Sequence, residues 1–278
     1  MSRRKPIPNN PDDLRQRILD YLQTLRVPLS AADLDAVLAE AEKQRWTPLE
    51  LLSHLLGPQA DLRRQRAIDR RIREARFRES ATLEGFDWAF NAQAIDRVLI
   101  ETLATGEFVR RGDNLVILGQ SGVGKSRIIQ ALGRAACARG YRVRYTSSAE
   151  LLHDLTASLA DHTLPERLRY YNNFDLLAID EFGFDRIERA ESSQAASLLY
   201  KVVDGRTKRS TAMVTNISFE AWAEYLGDAP LAMAVLDRVV DGAIILKIEG
   251  RSYRASRLKR PLPTKGGKVA KELPQPTT

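Results

Sequence analysis

Residues 119–126 read Gly119-Gln120-Ser121-Gly122-Val123-Gly124-Lys125-Ser126, where three glycines precede a lysine and a hydroxyl residue. That spacing is the phosphate-binding pattern G-x-x-x-x-G-K-[ST]. The glycines let the backbone curl so that successive N–H groups turn inward toward phosphate oxygens. A helix opening at Lys125 would add the positive end of its dipole. Lys125 is expected to reach the β- and γ-phosphates, and the Ser126 hydroxyl to ligate Mg²⁺. The expected ligands are therefore ATP and Mg²⁺.

A second stretch, LLAIDEFG at 176–183, sets two carboxylates at the end of an apolar run. Asp180 would sit at the carboxyl end of a buried strand, where ligands bind in parallel sheets, and hold the Mg²⁺ shell. Glu181 can polarise a water for attack on the γ-phosphate. Acidic pairs at strand ends also occur as ordinary caps. Asn216, in MVTNIS, follows another predicted strand. It is expected either to orient the attacking water or to serve as a turn-forming residue. Arg238, in LDRVVDG, is either an arginine finger offered to a neighbouring subunit or a surface partner of Asp237.

These groups need a framework. The segments 114–118, 141–146, 175–180, 211–216 and 243–248 read as short strands, with helices predicted at 125–139, 148–160, 191–203 and 231–240. Strands alternating with helices predict an α/β fold, a parallel sheet flanked by helices. Ahead of it, Leu14, Ile18, Tyr21, Leu22 and Leu25 recur at helical spacing. Ser30 can cap a second helix carrying Leu34, Val37, Leu38 and Ala41. Thr47-Pro48-Leu49-Glu50 combines a capping box with proline at the first helical position, and that helix is expected to end at Gly57-Pro58. This small all-helical module could hold a helix-turn-helix or serve packing and oligomerisation. From Asp61 to Glu79 eight arginines face four acids. The stretch reads either as a solvated connecting helix or as a surface for phosphate backbones. The expected domains are 1–79, a helical module with its basic connecting helix; 80–254, the nucleotide-handling domain; and 255–278, a basic, disordered tail.

The 278 residues carry a formal charge of +7, and residues 251–278 alone hold eight Lys/Arg against one acid, Glu272. The basic excess suits a polyanion. No apolar run approaches the roughly 20 residues of a membrane span, so no membrane role is expected. The single cysteine, Cys137, allows no internal disulfide and fits a cytoplasmic protein. His54, His153 and His162 lack metal-ligand spacing.

Over Leu14–Arg254 the motif order YLQTLRVP, TLEGFDW, GQSGVGKS, LLAIDEFG, VTNISFEAW, LDRV and EGRSYR resembles the IstB-like ATPases of insertion sequences. These are relatives of the DnaC-like helicase loaders within the AAA+ superfamily. The resemblance implies an AAA+ P-loop NTPase, a homo-oligomer that assembles on duplex DNA with little sequence preference. It also implies a separately encoded, integrase-like transposase as partner. By this likeness Asn216 is the sensor residue, Arg238 the finger and Arg254 a second arginine near the nucleotide, while TLEGFDW leads into the ATPase core. Val214-Thr215-Asn216 stands where the family usually has Thr-Ser-Asn, and Asp241-Gly242 where it usually carries histidine. The alternatives are a replicative helicase loader, a small-molecule P-loop kinase and a non-hydrolysing nucleotide switch. Asp180-Glu181 and the absence of an arginine-rich lid in the sequence speak against the kinase, and Glu181 against the switch.

Overall fold

The computed structural model describes residues 11–184 and 194–258. The chain divides into two compact units, Met1–Arg70 and Arg71–Thr278. The first holds helices α1 (Pro11–Thr24) and α2 (Ala31–Gln44) and most of α3 (Pro48–Ala75). Local hydrogen bonds set the starts. The Ser30 hydroxyl accepts from the Asp33 N–H at 3.1 Å, opening α2. At α3 the Thr47 N–H donates to Glu50 Oε2 at 2.6 Å, and the Glu50 N–H donates back to Thr47 Oγ1 at 3.3 Å. Two donors that a helix start leaves unpaired are thereby met at each cap.

The expected stop at Gly57-Pro58 does not occur, and α3 runs through both residues to Ala75. Proline removes a single N–H from the ladder. The flanking turns are rich in strong helix formers, Leu51, Leu52, Leu55 and Leu56 before it and Gln59, Ala60 and Leu62 after it, and these continue the helix. The left-handed backbone of Arg76, at φ 58°, closes the helix. The boundary between the two compact units falls within α3, at Arg70/Arg71. Ala75 is fully buried in the second unit's core, and Phe77 lies over Gly133, where it leaves no room for a Cβ.

The second unit continues with α4 (Arg97–Ala104), α5 (Glu107–Arg111), β1 (Leu115–Gly119), α6 (Lys125–Ala138), β2 (Val143–Ser147), α7 (Ser148–Ala160), α8 (Leu164–Asn172) and β3 (Leu176–Phe182). Then follow α9 (Ala195–Asp204), β4 (Ser210–Thr215), a 3₁₀ turn at Phe219–Ala221, α10 (Trp222–Leu226), α11 (Ala229–Val240), β5 (Ile244–Ile248) and α12 (Tyr253–Leu258). The five strands form one parallel sheet in the order β2-β3-β4-β1-β5. Alternate strand residues feed opposite faces. Leu115, Ile117, Leu176, Ala178, Ala212 and Val214 pack with α4–α6, while Val116, Leu177, Ile179 and Met213 pack with α7 and α9–α11. Burial on both faces explains why these strands read as continuous apolar runs. The expected strands and helices are all present with shifted ends. Residues 191–193 of the expected helix 191–203, and 259–278 of the expected tail, lie outside the described residues, while 253–258 form α12.

Candidate nucleotide-binding site

β1 ends at Gly119 and α6 begins at Lys125, so the glycine loop joins a buried strand to a helix N-terminus, as its spacing predicts. Gly122 has φ +84°, and a Cβ there would run into the side chain of Ser252. Lys125 is buried, and its Nζ donates to the carbonyl oxygens of Gly119 (2.7 Å) and Gln120 (2.8 Å). Desolvation pulls its ammonium below the ordinary value, and the like charge of Arg254 adds to this against the opposing pull of Asp180. An anionic ligand at this point would relieve a cation that is buried without a contacting carboxylate.

The carboxylates occupy the end of β3, whose pairing with β4 shifts register between Ile179 and Phe182. Glu181 sits there with φ +62°, a left-handed conformation that costs a non-glycine residue about 1–2 kcal/mol. The irregularity separates the two side chains. Asp180 is 1% exposed; its Oδ2 accepts from the Tyr145 hydroxyl and its Oδ1 from the Glu181 N–H, both at 2.7 Å. Burial, reinforced by Asp180, pushes the Tyr145 hydroxyl far up, so it remains a donor to the carboxylate. Glu181 is half-exposed, and its Oε2 accepts from Arg78 Nη1 at 2.9 Å.

One cavity of about 320 Å³ brings these groups together. Its wall includes residues 121–126 of the loop, Asp180, Glu181, Asn216 and Arg254. Gly119 and Gln120 stand behind this wall and supply the carbonyls that hold Lys125. Because β4 lies between β1 and β3, Asn216, directly after β4, faces the gap between the loop and the acidic pair. Ser126 and Asp180 offer hydroxyl and carboxylate oxygens, the hard donors Mg²⁺ takes, and both Asp180 oxygens already accept protein hydrogen bonds. That leaves Asp180 suited to ordering the metal's waters.

The far end of the cavity is not evident from the sequence motifs. It is built from Phe86, Asp87, Phe90, Asn91, Ile95 and Tyr253. Asn91 joins its two segments, accepting the Arg251 N–H at 3.1 Å and donating to the Arg251 carbonyl at 3.0 Å. Phe90 meets Tyr253 edge to face at 4.9 Å between centroids, and the Tyr253 N–H donates to the Gly122 carbonyl at 2.9 Å. Aromatic faces beside a phosphate loop suit a nucleobase. The closely spaced aromatics in and after TLEGFDW are the signal in the sequence that points to this wall.

Arg238 lies elsewhere. Its carbonyl accepts from Asn114, at the opposite end of β1 from the loop, and its Nε donates to Asp204 at 2.9 Å. Asp237, the partner weighed from the sequence, is more distant at 3.8 Å. Five strand residues at about 3.3 Å each put on the order of 16 Å between this arginine's backbone and its own phosphate loop.

A five-stranded parallel sheet in this order, a phosphate loop after its fourth-placed strand and a carboxylate pair two strands away define a P-loop NTPase of the AAA+ class. Residues 21–260 match the IstB-like ATP binding proteins, and the chain belongs to that family. It is 31% identical over 240 residues to the ATP-binding protein of insertion sequence IS21 from Pseudomonas aeruginosa, covering 86% of this chain and 89% of that one. It is 30% identical to the corresponding protein of IS232 from Bacillus thuringiensis subsp. berliner, covering 86% and 94%. Among solved structures, DnaI shares the fold at TM-score 0.51 and 21% identity, over 61% of this chain and 91% of that one. AMPPCP-bound DnaA from Aquifex aeolicus does so at TM-score 0.50 and 21% identity, over 66% and 56%. Among the described residues no helix is long and apolar enough to cross a membrane.

Proposed function

We propose that this insertion-sequence ATP-binding protein is a Mg²⁺-dependent ATPase that assembles as a homo-oligomer on duplex DNA and directs or regulates a partner transposase. The convergence of the loop, Asp180, Glu181 and Asn216 on one cavity carries the catalytic half of this reading. The backbone N–H groups of the loop and Lys125 hold the β- and γ-phosphates, and Arg254 adds a second cation from α12. Mg²⁺, where bound, would neutralise phosphate charge. Asn216 orients a water toward the γ-phosphorus, and Glu181 accepts its proton as the bond to the bridging oxygen breaks. The electron pair of that bond leaves with ADP. Glu181→Gln should therefore bind ATP with near-normal affinity and hydrolyse it about 10²–10⁴-fold more slowly. Single-turnover release of phosphate checks this, and normal turnover would remove Glu181 from its role.

The DNA-binding half rests on α3 and the segment that follows it. Seven of the eight arginines between Arg63 and Arg78 are exposed, and Arg71 is half-buried. Such a surface neutralises phosphates without reading bases, so binding should fall steeply with salt and vary little with sequence. Residues 71–79 pack into the second unit, so neutralisation tests this better than truncation. Changing Arg63, Arg64 and Arg66 together to Gln should weaken binding and flatten the salt slope by about 0.9 for each phosphate left without its arginine. An unchanged slope in a filter-retention titration would move the DNA surface off α3. The partner transposase is inferred from the insertion-sequence origin of the relatives, and pull-down with a transposase of the same insertion sequence tests it, while the oligomer is inferred from the family resemblance.

A further inference from the structure

The geometry points to Arg78 as a positioning residue that restrains Glu181 until duplex DNA draws the arginine away, which makes ATP hydrolysis responsive to DNA. This rests on the ATPase and DNA-binding reading above. Arg78 spans two carboxylates, its Nη1 donating to Glu181 at 2.9 Å and its Nη2 to Glu150 Oε1 at 3.1 Å. Glu150 is itself anchored, since its Oε2 accepts from the Ser147 N–H at 3.1 Å in the capping box of α7. Although burial opposes it, that bond and Arg78 hold the Glu150 carboxyl below its ordinary value. The base is thus tied through a guanidinium to a fixed helix start.

The placement of Arg78 is set by packing on both sides. Phe77 rests over Gly133 and 6.1 Å from Tyr145, the tyrosine that holds Asp180. On the other side the Glu79 N–H donates to Gln130 of α6 at 2.9 Å. Arg78 lies outside the cavity wall, so it withdraws one oxygen of Glu181 from the face where water must be activated. It is also the last of the eight arginines read as the DNA surface. Side-chain exposures of 42% for Arg78 and 46% for Glu181 make the pair weak enough to be exchanged for a phosphate, which the same fork fits.

The test uses the full-length protein and measures hydrolysis with and without a duplex of mixed sequence. Wild type should be slow without DNA and faster with it. Arg78→Ala should be about two- to ten-fold faster than wild type without DNA, gain nothing further from DNA and keep its KM for ATP. Arg78→Lys, which keeps the charge, should retain part of the restraint. Glu150→Gln should shift the DNA-free rate in the same direction as Arg78→Ala, because it loses the ion pair while keeping the cap. It therefore also serves if Arg78→Ala folds poorly. Slower hydrolysis by Arg78→Ala under both conditions, or stimulation by the wild-type factor, overturns the assignment. Binding of a fluorescent ATP analogue and retention of DNA, measured on the same preparations, separate the two readings. Hydrolysis with an unaltered DNA response sinks the Arg78 assignment alone, whereas a wild type that never hydrolyses ATP sinks both.

Discussion

Lys125→Ala should lose ATP binding by roughly 30- to several-thousand-fold, the equivalent of about 2–5 kcal/mol. Lys125 is the loop's only cationic side chain at the phosphate position, and it is already desolvated, so its interaction with a bound polyphosphate is little screened. The same ammonium donates to the carbonyls of Gly119 and Gln120, so alanine also loosens the loop. Lys125→Met keeps the aliphatic stem and removes only the charge. If it binds as weakly as alanine in an equilibrium titration, the loss is electrostatic. Wild-type affinity in either variant would mean that the backbone N–H groups alone hold the phosphates.

A comparable loss, about 10³-fold or more in turnover, is expected for Arg238→Ala, with ATP affinity little changed. Arg238 lies at the far end of β1 from its own loop, so any contact with a γ-phosphate must be made to the next subunit's nucleotide. The decisive experiment mixes Arg238→Ala with Glu181→Gln, each nearly inactive alone. In a head-to-tail assembly of equal parts, about a quarter of all interfaces would join an intact Glu181 to an intact Arg238. Single-turnover hydrolysis should then reappear. A mixture no more active than its components, despite confirmed co-assembly, would leave Arg238 only its pairing with Asp204.

The site is legible where chemistry is written in contiguous residues. Glycine spacing, the lysine and the hydroxyl are consecutive, and so are the apolar run and its terminal Asp180-Glu181. Each motif therefore carries its own secondary-structure context. The helix at 48–75 defies the stop expected at Gly57-Pro58 because a local rule for breakers leaves out the helix-forming turns on both sides. Arg238 can be named from LDRV, but its choice of Asp204 over Asp237 cannot, because Asp204 is 34 residues away.

The order and spacing of the motifs by themselves determined a parallel α/β nucleotide fold, its phosphate-binding end and its acidic strand end. Each of these depends on backbone preferences and burial patterns that repeat within a few residues. Only the tertiary structure decided which distant residues complete the site. Asn91 meets Arg251 across 160 positions, and Arg78 meets Glu181 across 103. The left-handed turn that parts Glu181 from Asp180 belongs to the same class, since it follows from the register slip of β3 against β4. Contacts of such span are set by how the sheet and its helices pack, and no periodicity along the chain encodes them.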